Sequence, residues 1–218
     1  MSPESARLSS EHGLGRLPEH IRGFALMHVA MRRDGARLLA AAPRATAVTA
    51  AALAVWFGRL RAVIDWHHHS EDDLLWPELL RRSPGFAGAD RALVEDHGAL
   101  DEAMERVAGA LAARGAGPAP LVEAAARFEA LIREHLRQEE SLVFPVIAAM
   151  PTGAYLALER RIIASAPAAV RTYLQPWMFD GADRAATAAV AATIPAPVRL
   201  LGNTVLARRY RRTLAPVL

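Results

Sequence analysis

The sequence predicts an all-α protein: an antiparallel up-down four-helix bundle followed by a C-terminal helical appendage. Three observations carry this reading. Apolar residues recur at three- and four-residue spacing along most of the chain. No segment shows the alternation of a half-buried strand. Short proline- and glycine-bearing joins separate four long periodic runs, as expected for antiparallel neighbours.

The first run extends from about Pro18 to Ala42, with Ile21, Phe24, Ala25, His28, Met31, Arg32, Leu38 and Leu39 in helical register, and Pro43 closes it. The second covers Ala45 to about Leu80, and Pro77 inside it predicts a kink or an end. Ser83-Pro84-Gly85 reads as a turn, and Asp90 as the N-cap of a third helix reaching about Arg114. Gly115 to Pro120 is a connector, and a fourth helix runs from about Leu121 to Met150 with Pro145 near its end. Residues 18–150 form the bundle on this reading. Residues 151–218 form the extension, with helical stretches at about 155–167 and 182–193 and with Trp177, Met178 and Phe179 placed to dock on the bundle. Residues 1–17 are polar and are expected to be poorly ordered.

Composition narrows the chemistry. The chain has 218 residues, is 52% hydrophobic and contains no cysteine, which removes disulfides, thiolate metal sites and cysteine nucleophiles. A bound metal must therefore take nitrogen and oxygen ligands. All 26 basic residues are Arg, which keeps the pI near 10.1 although the net charge is only +3. That charge is too small to imply nucleic acid, and no nucleic-acid partner is expected. The Arg208–Arg212 cluster reads as a solvated helix face, with an acidic partner, nucleic acid or an anionic membrane surface as alternatives. Met1–Glu11 has no apolar core like that of a secretory signal, and no run approaches the roughly 20 uninterrupted apolar residues of a membrane span. A soluble, cytoplasmic protein is expected.

The most informative feature is an internal repeat. His67-His68-His69-Ser70-Glu71-Asp72-Asp73-Leu74-Leu75-Trp76-Pro77 aligns with His135-Leu136-Arg137-Gln138-Glu139-Glu140-Ser141-Leu142-Val143-Phe144-Pro145. Each copy places a His and a Glu four residues apart, roughly 6 Å of helical rise, so both side chains leave one face. The copies fall on the second and fourth predicted helices. His28, on an apolar stretch of the first helix, and His97, between Val94 and Leu100 on the third, complete a set drawn from every helix. Around these, His68 is the alternative nitrogen if the register shifts by one, and Glu140 the alternative carboxylate. His69, Asp72 and Asp73 point away from the ligand face. Asp101 reads as a solvated residue or a partner of a ligand His. His12 and His20 are set aside.

A His in helix one, His-x-x-x-Glu in helix two, His in helix three and His-x-x-x-Glu in helix four resembles the hemerythrin HHE cation-binding domain. His67–Pro77 is particularly similar to that family, as is Met31-Arg32-Arg33-Asp34, and the resemblance covers about residues 18–150. It implies a metal site of His28, His67, Glu71, His97, His135 and Glu139 holding two non-haem iron ions, oxo- or hydroxo-bridged, that act on dioxygen, peroxide or nitric oxide. Oxygen-carrying members have a further His one turn before the helix-three ligand, where this chain has Leu93. On that count each iron keeps about one open position. The sequence then favours redox chemistry on oxygen or peroxide, catalase-like or protective, over oxygen carriage, with an iron- or oxygen-sensing module as the alternative. The catalytic residues and the oligomeric state are left open.

Overall fold

A computed structural model describes residues 8–113, 117–215 and 217, and these residues form helices and turns with no strand among them. The long helices are α1 (Arg22–Ala41), α2 (Ala47–Ser70), α4 (Ala89–Ala112) and α5 (Ala119–Ala148), with a short α3 (Trp76–Arg82) continuing α2. α1 packs on α5, α5 on α4, α4 on α2 and α2 on α1, which makes a closed ring of neighbours. Their facing stripes bury Leu26, Met31 and Leu38 of α1, Trp56, Phe57, Leu60 and Ile64 of α2, Met104 and Val107 of α4, and Phe128, Ile132 and Phe144 of α5. Stripes of this width, spaced at 3.6 residues, are what the periodic runs demand. At Gly35 α1 comes so close to α5 that a Cβ would stand 3.3 Å from Ile132 Cγ2.

The run Ala47–Arg82 passes through Pro77 instead of stopping. A π-helical turn at Glu71–Leu75 joins α2 to α3, and Pro77 falls in the first turn of α3. Pro77 donates no backbone bond, and the wider π-helical turn before it makes room for its ring, so the chain stays helical. That run is 36 residues long and contains an 18-residue window of mean hydropathy 1.5, long and apolar enough by length and composition to cross a membrane. A third of the window is buried, and Val48 and Val55 lie on its exposed face. α4 begins at Ala89 on Gly88, whose φ of 98° suits glycine. Asp90 is therefore inside the helix and not at its cap, and its side chain lies outside the described residues, as do residues 114–116 of the connector.

Two ends of the chain are better organised than the sequence suggests. Residues 8–17 make tight turns at Ser10–His12 and Leu14–Arg16 that bury Ser10, Leu14 and Leu17, while residues 1–7 lie outside the described chain. Beyond Met150 come α6 (Thr152–Ser165), α7 (Ala168–Phe179), α8 (Arg184–Thr193), α9 (Ala196–Leu201) and α10 (Ala207–Leu214), the last two joined by a π-helical turn at Gly202–Leu206. Only α6 and α8 match expected stretches. Pro176 stands inside α7, and Pro195 and Pro197 bracket the start of α9, positions at which a linear reading predicts breaks.

α7 and α8 dock on α1, and α10 on α2. The joint is polar at its centre. Asp34 of α1 is fully buried and accepts bonds from Trp177 Nε1 at 2.8 Å, Arg33 Nε at 2.8 Å and Arg37 Nη1 at 3.1 Å. Arg37 also reaches Asp180 Oδ2 at 2.6 Å, which Tyr210 of α10 joins at 2.9 Å. Trp177 is fully buried as expected, while Met178 and Phe179 are half-buried. A hydrogen bond to a buried charge contributes about 1.5–3 kcal/mol. Trp177→Phe, which keeps most of the ring volume and deletes the N–H, should lower unfolding free energy by about 2 kcal/mol in urea titrations. A change below about 0.5 kcal/mol would mean that this bond does not anchor the extension.

Candidate metal centre

The ring of long helices holds polar side chains at its centre. His28 comes from α1, His67 and His68 from the end of α2, Glu71 from the first position of the π-helical turn, His97 from α4, and His135 and Glu139 from α5. All seven are at most 5% exposed. They fall into two groups: His28, His67, Glu71 and Glu139, and then His68, His97 and His135. Within each group the ligand atoms lie within 4.8 Å of one another. The carboxylates stand between the groups. Glu71 Oε1 is 3.0 Å from His67 Nε2, while its Oε2 is 3.6 Å from His97 Nε2. Glu139 Oε2 is 3.5 Å from His28 Nε2 and 3.7 Å from His135 Nε2.

The structure thus brings together all six residues selected from the sequence and adds His68. Its imidazole stacks on His97 at 4.0 Å. The sequence reading lets α2 present one narrow face. A core-facing stripe spans 100° or more, so adjacent residues at its two edges can both enter the interior. Leu93 is fully buried among apolar residues, and the nitrogen absent there is matched by His68.

The other candidates separate cleanly. His12, His69, Asp73 and Asp101 are exposed. His69 Nδ1 bonds the Asp65 carbonyl at 2.6 Å, and His20 Nε2 bonds the Ile147 carbonyl at 3.2 Å. Glu140 is buried but belongs to neither group, and instead lies 3.1 Å from His28 Nδ1. Asp72 is 3.4 Å from His97 Nδ1, and Asp96 is 3.8 Å from His135 Nδ1. Carboxylates on the far nitrogen orient an imidazole and leave its other nitrogen for a metal. Phe24 and Phe144 cover His28, with ring centroids 4.7 and 5.8 Å away.

Among the described residues, eleven nitrogen and oxygen atoms of these seven side chains are buried without a hydrogen bond. At about 1 kcal/mol each the cost approaches the 5–15 kcal/mol stability of a whole domain. Such a set is poorly explained as packing and fits a metal site. Electrostatics agree. Burial lowers the pKa of His67 and His68, and takes His135 to about 3, so these rings are neutral and able to ligate. Burial, reinforced by Glu139, pushes Glu71 well above the usual carboxylate range. Burial would raise Glu139 as well, but His28, His67 and His135 outweigh it and hold it low.

The family model described as the hemerythrin HHE cation binding domain matches residues 20–147 of this chain. No curated protein and no solved structure matches.

These shifts give a pH dependence. His67, His68 and His135 have folded values below the usual 6.5, so the unfolded chain holds more protons than the native one as pH falls from 6.5 toward about 3, and native stability is lost across that window. Glu71 has the opposite sign: its folded value is raised, so the metal-free protein loses stability as pH climbs above the ordinary 4.5. A bound cation displaces the Glu71 proton and cancels that second loss. Stabilisation by metal, measured as the shift in urea midpoint, should therefore be larger at about pH 8 than at about pH 5. Equal shifts at both would contradict the assignment of Glu71 as a ligand.

Proposed function

Because the chain belongs to the hemerythrin HHE cation-binding domain family, we propose that its buried cluster holds two non-haem iron ions and takes dioxygen or peroxide as its small-molecule ligand. We read α1, α2, α4 and α5 as an antiparallel up-down bundle over residues 18–150, with 151–218 as a helical extension, and the closed ring of helix contacts supports this. The observation that carries the functional reading is the donor set itself, five imidazoles and two carboxylates split into two groups with the carboxylates between them. Nitrogen and oxygen donors without sulfur suit iron in octahedral surroundings. When bound, the ions would supply redox chemistry and a Lewis-acidic position for an oxygen ligand.

The protein's own part can be derived. Octahedral ions need about twelve positions between them. Five imidazoles and two carboxylates would supply about nine of them, leaving the rest to solvent or an oxygen ligand. The group with two imidazoles, His28 and His67, would leave the more room for such a ligand. With His68 counted, the donor balance no longer argues for two reactive ions over one that binds an oxygen ligand reversibly. Phe24 and Phe144, packed on His28, keep bulk water from that side.

Protein purified without a His tag and loaded with ferrous iron under anaerobic conditions should hold about two irons per chain. On admission of oxygen or peroxide it should develop a near-ultraviolet charge-transfer band. Zinc alone in the purified protein, or iron-loaded protein spectrally inert to both oxidants, would sink the proposal. Oxygen evolution from added peroxide decides between turnover and binding. His68→Ala should lower iron retention toward one per chain, whereas His12→Ala should leave it unchanged. Full iron in the His68 variant would return the ligand set to six residues.

A binding or sensing role gains support from α1, which carries both His28 and the Asp34 joint to α7. It predicts slower amide exchange in α7 upon iron loading, and identical exchange with and without iron would remove that support.

A further inference from the structure

Glu140 follows Glu139 in the chain but points into a different set of partners. It is fully buried. Its Oε1 accepts from Arg32 Nη1 at 2.7 Å and Ser10 Oγ at 2.6 Å, and lies 3.1 Å from His28 Nδ1. Its Oε2 accepts from Ser9 Oγ at 2.7 Å and the Ser10 backbone N–H at 2.9 Å. Arg32 Nη1 closes the circuit by donating to Ser10 Oγ at 2.6 Å. A carboxylate offers about four lone-pair sites, so this one is saturated. Arg32 neutralises its charge, and the two serines, some 130 residues distant in sequence, occupy its remaining lone pairs.

We propose that Glu140 is the positioning residue for His28, and that the same carboxylate couples the N-terminal Ser9–Ser10 turn to occupancy of the metal centre. The proposal rests on the reading of His28 as a ligand. An ionised carboxylate can only accept, so it fixes the His28 tautomer with the proton on Nδ1. The lone pair of Nε2 then faces Glu139 and His67, where the first group of donors converges. A metal on Nε2 holds the ring in that orientation, the ring holds one face of the carboxylate, and the carboxylate holds the serines. Without metal the ring can rotate or change tautomer, and one of the five contacts to Glu140 loosens.

Linkage makes this quantitative. Coupling between two sites is reciprocal, so the factor by which the serine contacts tighten metal binding equals the factor by which metal stabilises the turn. Loss of an imidazole's outer partner typically weakens metal binding 10–100-fold. Full-length protein titrated with ferrous iron against a competing chelator should show about that loss in Glu140→Gln, and a smaller, several-fold loss in the double variant Ser9→Ala/Ser10→Ala. Amide exchange at residues 8–12 should slow on iron loading of the wild-type chain by the same factor that the serine pair contributes to affinity, and should become insensitive to iron in Glu140→Gln. In a His28→Ala background, Glu140→Gln should have no further effect on iron affinity, which a purely structural role would not predict.

Wild-type chain that binds no ferrous iron removes the metal reading and this inference together. Wild-type chain that binds iron, with both variants matching it in affinity and with iron-independent exchange at residues 8–12, overturns this inference alone. Should Glu140→Gln fail to fold, the serine double variant decides the matter by the same two measurements, since those hydroxyls lie at the edge of the core.

Discussion

The constraint on which this fold depends is electrostatic: five imidazoles and two carboxylates occupy the centre of the helical ring, where water is scarce and no protein donor or acceptor satisfies their inner atoms. A core built from leucine and phenylalanine would be more stable without them. Everything around the cluster limits that burden. Each helix lends at most a few polar groups at a time, and long apolar stretches on either side keep the packing continuous. Burial holds His67, His68 and His135 neutral, which removes most of their desolvation cost, and drives Glu71 toward its protonated form. The metal-free protein is therefore in electrostatic compromise, which a bound cation would relieve by restoring charge to Glu71 and partnering the inner lone pairs.

Much of this is legible in the sequence. Two copies of His-x-x-x-Glu ending in an aromatic residue and a proline place His67, Glu71, His135 and Glu139 on interior faces, and period alone locates α1, α2, α4 and α5 to within a few residues. What stays hidden has physical causes. His68 is obscured when a helix is taken to present one narrow face, whereas the interior here is wide enough to receive neighbouring residues in opposite groups. The π-helical turn at Glu71–Leu75 leaves no mark in periodicity, and it lets α3 continue past a proline that reads as a stop. α7 and α9 escape because first-turn and late-turn prolines look like breaks in a linear reading. The roles of Glu140, Asp34 and the Ser9–Ser10 turn depend on partners more than 100 residues away, which no local pattern encodes.

A division of labour along α1 ties these observations together. His28 faces the metal donors, Arg32 one turn later faces Glu140, and Asp34 faces the opposite way toward Trp177. The helix therefore has three polar registers, each buried and each matched to a different part of the chain: the cluster, the N-terminal turn and the C-terminal extension. A buried charge that loses one partner is destabilised far more than an exposed one, because solvent cannot substitute. The position of α1 is thus specified from three sides at once, and a small displacement is opposed by all three.

The asymmetry of the cluster follows from the same geometry. α2 supplies a nitrogen to each group, but α1 brings only His28 to one, whereas α4 and α5 both bring nitrogens to the other. The imbalance arises because α1 must also commit its buried polar positions to Arg32 and Asp34, and Phe24 fills the face one turn before His28. The side with fewer nitrogens is also the side linked to both ends of the chain. An oxygen ligand taken on the side with two imidazoles would lie nearest His28, the residue that Glu140 ties to the Ser9–Ser10 turn.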